Sequence, residues 1–167
     1  RCDGVDTFAE VCLNGKPVLR ADNAHRTWRA RVEGHLRAWG NELQIVFRSP
    51  IRTLLPGVQA MPHKIAANYP SPYGDEPKDA MVGNFARKPA YHFGWDWGPR
   101  YVTAGVWRGV DLQAWDTHRL TSLAVGTDAL SAEQAKLAVL LQVEQGSATG
   151  SAFVNVDVLD PQGRSVA

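Results

Sequence analysis

Apolar and polar residues alternate position by position in Ala9-Glu10-Val11-Cys12-Leu13 and again in Glu42-Leu43-Gln44-Ile45-Val46-Phe47-Arg48, while helical spacing is almost absent. Alternation places one set of side chains on one face of a strand, so the chain is predicted to be all-β. Asn14-Gly15 follows the first run and Pro17-Val18-Leu19 lies beyond it, which predicts a tight hairpin with a primed turn. Trp28 to Val32 alternates as well, and Val32 to Trp39 predicts a single helical turn before the next strand. Val106 to Trp115 reads as a long strand with Gly109 at a bulge. Beyond Trp115-Asp116 aromatic residues thin out, and strands are predicted at Leu120 to Val125, Lys136 to Val143 and Ala152 to Leu159, with a turn at Asp160-Pro161-Gln162-Gly163. Short strands at that spacing suit an immunoglobulin-like sandwich, which sets a domain boundary near Thr117.

The pattern lapses between Pro50 and about Pro89, where seven prolines fall among glycines and polar residues. So long an unpatterned stretch on a β scaffold is expected to be a functional loop. It runs into Tyr91-His92-Phe93-Gly94-Trp95-Asp96-Trp97-Gly98-Pro99-Arg100, and the two are expected to build one surface. If the motif is extended, Trp95 and Trp97 share a face and Asp96 points away. Two readings stay open: buried tryptophans with a solvated acid, or a ligand platform whose rings meet an apolar sugar face while the carboxylate grips hydroxyls. Arg100 is placed to fix Asp96 by a bidentate pair. Trp28, Trp39, Trp107 and Trp115 are read as core or rim packing.

Composition narrows the classes. Of 167 residues, 44% are hydrophobic and 21% charged, which is ordinary for a globular chain. A formal net charge of +1, with scattered arginines, gives no footprint for nucleic acid. No apolar run approaches the roughly eighteen residues of a membrane span. Cys2 and Cys12 are expected to be buried free thiols. The chain opens at Arg1-Cys2-Asp3 without an initiator methionine and reads as a piece of a longer protein.

Catalytic patterns are not visible. Glycoside hydrolysis needs two carboxyl groups about 5 Å apart for retention. Asp75, Glu76 and Asp79 offer acids in a loop, and they are read as solvated loop charge. His25, His35, His63, His92 and His118 lie too far apart in sequence for a metal motif, so no metal or cofactor is expected. There is no GxSxG nucleophile elbow.

Three segments carry a resemblance: GVDTFAEVCLNGKPVLRADNAHRTWR, GNELQIVFRSP and RKPAYHFGWDWGPRYVTAGVWRGVDLQAWD. Together they resemble the N-terminal sugar-binding domain of β-mannosidases among the family-two glycoside hydrolases, with FGWDWGPR closest to the β-mannosidase branch. The resemblance implies a jelly-roll, galactose-binding-like β-sandwich over residues 1–116, its first strands missing, then the beginning of an immunoglobulin-like β-sandwich over residues 117–167. It implies a non-catalytic part of a retaining exo-β-mannosidase acting on terminal β-D-mannose residues, with both catalytic glutamates on a (β/α)₈ barrel outside this chain. This chain alone is expected to be inactive. Its partners would be that barrel and a β-mannoside oligosaccharide, with neither nucleic acid nor membrane. Carried over by position, Trp95 would line the mannose subsite and Asp96 would accept sugar hydroxyls. Trp97 would pack behind the loop. A stand-alone carbohydrate-binding module, another family-two specificity (β-glucuronidase or β-galactosidase) and a purely structural sandwich remain open. The resemblance is compatible with a periplasmic, secreted or lysosomal location, and the residues themselves show no compartment.

Overall fold

A computed structural model of the protein describes residues 1–65, 70–146 and 150–166. Residues 66–69 of the Pro50 to Pro89 segment, and 147–149 and 167 near the end, lie outside the described residues. The chain divides into two compact units, Arg1–Leu112 and Gln113–Ala167.

In the first unit the strands are β1 (Val5–Asp6), β2 (Phe8–Leu13), β3 (Lys16–Asp22) and β4 (Leu43–Arg48); β2 and β4 come from the two alternating runs, and β3 contains the Pro17-Val18-Leu19 expected beyond the turn. They are followed by a helix, α1 (Pro50–Gln59), and a short strand, β5 (Gly105–Val106). β2 is the middle of a three-stranded antiparallel sheet in the order β3-β2-β4. Its alternation is realised as Ala9, Val11 and Leu13 buried, with Phe8, Glu10 and Cys12 half-buried between them. The predicted hairpin forms, and Asn14 (φ 53°) and Gly15 (φ 79°) both take the left-handed conformation that a type I′ turn demands. The Asn14 side chain then ties this turn to the crossover: its amide donates to His35 O (2.7 Å) and Asn41 Oδ1 (2.9 Å), and its carbonyl accepts from Glu42 N (2.9 Å). The expected single helical turn appears as a 3₁₀ turn over Glu33–His35.

Two strand expectations do not hold at their full length. Trp28 to Val32 contributes one bridge, Trp28 with Cys2, closed by two backbone bonds of 2.8 Å. Val106 to Trp115 is a strand only at β5, which pairs with β1, and touches the first residues again where Val110 bridges Cys2. Two residues lie between Cys2 and Val5, while three lie between Val106 and Val110, so one extra residue bulges on the second strand near Gly109. That bulge interrupts the ladder.

The helix α1 replaces the first part of the expected loop. Ser49 caps it, with Oγ accepting from Arg52 N at 3.4 Å, and Pro50 occupies the first turn, where no N–H is needed. Ile51, Leu54, Leu55 and Val58 recur at helical spacing and face a core of Ala80, Val82 and Phe93. A separate core, Cys2, Val5, Ala9 and Ala21 with Leu19, Trp28, Ile45 and Phe47, lies under the sheet. Both cysteines are free, Cys2 buried and Cys12 half-buried, and burial raises the Cys2 thiol pKa.

In the second unit β6 (Arg119–Leu130) and β7 (Ala135–Glu144) form one long antiparallel hairpin, with Arg119 and Glu144 paired at 2.9 Å at its open end. The Arg119 guanidinium lies 3.5 Å over the half-buried Trp115 ring. Ala152 to Leu159 is not a strand; among the described residues it has only the Leu159–Ser165 bridge and a bond from Val166 N to Val158 O (2.8 Å), so no ladder can build. The predicted turn holds because the Asp160 carboxylate accepts from Gln162 N and Arg164 N, both at 2.9 Å. Among the described residues regular structure is thus strands, short 3₁₀ turns and one α-helix, and the all-β expectation stands.

Candidate functional site

Phe93 ends a 3₁₀ turn over Ala90–Phe93, and its ring is buried against α1 and Val82. Gly94 follows at φ 98°, a conformation a β-carbon would strain, and it swings the chain outward. The next four residues close a tight turn: Trp95 N donates to Gly98 O, and Gly98 N donates to Trp95 O, both at 3.3 Å. Asp96 and Trp97 therefore sit at the tip, and the extended alternation expected for the motif is replaced by a turn.

Trp95 is 42% exposed and Trp97 is 83% exposed. Trp97 does not pack behind the loop within this chain; it stands beside Asp96 on the surface. Asp96 is exposed as well, and among the described residues no ion pair holds its carboxylate. The packing assigned to the other tryptophans holds for the half-buried Trp28 and Trp115, but Trp39 and Trp107 are exposed at 85% and 53%.

Arg100 does not meet Asp96. Its Nη2 donates to Glu76 Oε2 (2.7 Å) and Asp75 Oδ2 (2.8 Å), and its Nη1 donates to Phe93 O (3.1 Å). The Glu76 Oε1 accepts from Val82 N at 2.7 Å, so both oxygens of this carboxylate are used. The side chains of Arg100 and Glu76 are 3% and 2% exposed. Glu76 is thus a buried, fully bonded acid, whereas Asp75 and Asp79 remain exposed as expected of loop charge. Burial alone would raise the Asp75 carboxyl, yet hydrogen bonds from Ser71 and Arg100 take it below the ordinary value.

A second buried cluster stands at the other end of the motif. Lys88 Nζ donates to Asp6 Oδ2 (3.0 Å) and Thr103 O (2.5 Å), with its side chain fully buried. Thr103 Oγ1 donates to the same Asp6 oxygen at 2.8 Å, and the Thr7 hydroxyl bonds to Asp6 Oδ1. Having given its proton to Asp6, Thr103 can only accept from His92 Nδ1 at 3.2 Å, which places the imidazole proton on Nδ1. Burial opposes the Asp6 charge, but the bonds from Thr7, Thr103 and Lys88 outweigh it and lower the pKa. Burial lowers the Lys88 pKa against the pull of Asp6, and burial with the nearby Lys88 charge lowers that of His92.

Every buried side-chain polar atom among the described residues has a partner. Among the described residues no group of three or more His, Cys, Asp or Glu could hold a metal, and no helix is long and apolar enough to cross a membrane. Glu76, Lys88 and Asp6 were not singled out by sequence as structural anchors. What the motif itself offers chemically is two accessible indole rings flanking one carboxylate on a short, firmly seated turn.

Known proteins resemble the chain as a whole. The family described as "Glycosyl hydrolase 2 galactose-binding domain-like" matches residues 1–108. The chain is 39% identical to beta-mannosidase B of Thermothelomyces thermophilus over 75% of its length and 14% of that protein's. It is 36% identical to beta-mannosidase B of Aspergillus terreus over 99% of its length and 18% of that protein's. The crystal structure of beta-D-mannosidase from Dictyoglomus thermophilum superposes with a TM-score of 0.72 at 34% identity, covering 86% of this chain and 16% of that one. The chain thus spans less than a fifth of the length of these relatives. With the family match extending over residues 1–108 and relatives of this identity covering most of the chain, the chain belongs to the family-two glycoside hydrolases, through their galactose-binding-like domain.

Proposed function

We propose that this chain is the non-catalytic N-terminal part of a retaining exo-β-mannosidase and that its Trp95–Gly98 turn supplies a wall of the subsite for the terminal mannose. The observation that carries this reading is the pair of exposed indoles flanking an exposed, unpaired carboxylate, on a chain whose relatives are named beta-mannosidases. An indole face stacks on the apolar C–H face of a pyranose, and a carboxylate accepts two hydroxyl protons. Trp95 lines the sugar, Asp96 accepts its hydroxyls, and Trp97 takes part on the exposed side of the turn. Arg100 supports the turn through Phe93 O and Glu76.

On this reading residues 1–116 are the sugar-binding sandwich and residues 117–167 begin an immunoglobulin-like domain. The catalytic glutamates belong to a (β/α)₈ barrel elsewhere in the whole protein, and the isolated chain hydrolyses nothing. The test is hydrolysis of matched aryl β-mannoside, β-glucuronide and β-galactoside by the whole protein, with and without Asp96→Ala. Preference for the mannoside, lost in the variant at an unchanged melting temperature, supports the reading. Mannoside preference that survives the substitution removes the turn from the subsite. Preference for either other glycoside reassigns the specificity, and binding without hydrolysis makes the chain part of a carbohydrate-binding module.

A further inference from the structure

The thirteen positions from Lys88 to Arg100 carry the exposed turn, and each end of this segment is a buried cation. Lys88 is bonded to Asp6 of β1 at one end. Arg100 is bonded to Glu76 at the other, and its second nitrogen reaches back to Phe93 O, five positions before the tip of the turn closes at Gly98. A fork of this kind spans the neck of the loop: one guanidinium fixes the residue entering the turn and the residue leaving it. Glu76 in turn is locked by Val82 N, whose residue packs in the core beneath Phe93.

Buried ion pairs add little net stability over apolar packing of the same volume, since desolvation offsets the attraction. Their geometry, however, is strict, because a misplaced partner leaves a charge unpaired in the interior. We propose that Glu76 and Arg100 are positioning residues: by clamping the neck of the Phe93–Arg100 loop they set where Trp95 and Asp96 stand, and so govern how well the turn engages a sugar. The inference rests on the function proposed above and extends it to two residues that touch no ligand themselves.

The apolar base of the loop does not do this alone. Phe93 is anchored by its ring, but Gly94 at φ 98° leaves the following backbone free to swing, and the two bonds of 3.3 Å within the turn fix its shape without fixing its direction. Further out, Thr103 meets Lys88 and His92, but at the neck itself it is the Arg100 guanidinium that ties the outgoing chain to Phe93 on the incoming side. Replacing Glu76 with Gln keeps the volume but provides a single acceptor oxygen, so it can serve Val82 N or Arg100 and not both. Arg100→Lys keeps the charge and loses the fork, so one ammonium cannot reach Phe93 O and two carboxylates in the same planar arrangement.

The experiment is a double-mutant cycle in the whole protein, with wild type, Asp96→Ala, Glu76→Gln and the double variant compared for kcat and KM on an aryl β-mannoside. The expected result is a loss in kcat/KM on the order of ten- to a hundredfold in Glu76→Gln, the scale of a small misplacement of contacting groups. Its division between kcat and KM should match that of Asp96→Ala. The double variant should then lose clearly less than the product of the two single losses, because a carboxylate already removed cannot be misplaced and only the placement of Trp95 is left to lose. Losses that multiply in the double variant, or wild-type kinetics in Glu76→Gln, overturn the clamp while leaving the proposed function intact. An Asp96→Ala protein with wild-type kinetics overturns the function first, and the clamp with it. If Glu76→Gln does not fold, Arg100→Lys takes its place in the cycle, and failure of both to fold shows a role in stability alone and overturns the proposal.

Discussion

Lys88→Met is the substitution whose cost the structure fixes most sharply. The ammonium is fully buried and lies 3.0 Å from Asp6 Oδ2, with the carboxylate side chain only 9% exposed. At that distance and an effective dielectric of about 20, the attraction is roughly 5 kcal/mol, most of which offsets the desolvation of the two groups. Methionine fills a similar volume, so the substitution leaves little cavity but strands a buried carboxylate. Removing one partner of a buried pair costs about 3 to 5 kcal/mol. The hydroxyls of Thr7 and Thr103 still bond to Asp6, which places the expected loss near the lower end, about 3 kcal/mol. The readout is amide exchange at Trp107, whose N–H bonds to Gly4 O at 3.1 Å beside the β1–β5 pairing. Where exchange follows the opening equilibrium, a loss of that size accelerates it on the order of a hundredfold. Adding Asp6→Asn removes the stranded charge, so the double variant should regain about 1 to 3 kcal/mol relative to additivity. A Lys88→Met protein whose exchange rises less than about fivefold, or a double variant showing simple additivity, would refute the assignment of a tightly coupled buried pair.

Three further outcomes follow from the same geometry. His92 is held below its ordinary pKa of 6.5, so the unfolded chain takes up a proton first on acidification; stability should be full above 6.5, decline as the pH falls from there to the lower folded value, and lose that part of its slope in His92→Gln, as read by denaturation midpoints across the range. Asp6 behaves in the same direction at lower pH: its depressed carboxyl pKa gives stability present above 3.8 and lost as pH falls through the folded value, and Asp6→Asn should flatten the acid limb of a thermal-melt profile. Gly4→Ala would bring a β-carbon to 2.7 Å from Trp107 Nε1 and 2.8 Å from Cε2, forcing the ring to move; a loss of about 1 to 3 kcal/mol should appear as a lower melting temperature, and an unchanged one would mean that the ring shifts freely.

The alternating runs of β2 and β4, the Asn14-Gly15 turn and the Asp160 turn were legible because each obeys a local rule that burial then reinforces. The helix α1 was equally local in origin, with Ser49, Pro50 and the spacing of Ile51, Leu54, Leu55 and Val58, but Pro56-Gly57 inside it disguises the pattern as loop. Strands at Trp28 to Val32, Val106 to Trp115 and Ala152 to Leu159 failed in the opposite way. Alternation supplies a face, and a strand also requires a neighbour in register along its length. At the site, the turn's composition pointed to ligand chemistry, yet the pairing of Arg100 was misplaced. Sequence proximity favours Asp96, four residues away, whereas the guanidinium bonds to Glu76 and Asp75, held near it by long-range folding. Burial of Glu76 and Lys88 was illegible for the same reason, since charged residues enter an interior only where distant partners await them.

The most direct measurement of the central claim is a crystal structure of the whole protein with a bound mannose-configured inhibitor. The account predicts the Asp96 carboxylate within about 3 Å of a sugar hydroxyl and the Trp95 ring against the sugar's C–H face. A bound sugar with the Trp95–Gly98 turn facing solvent, away from it, would contradict the account.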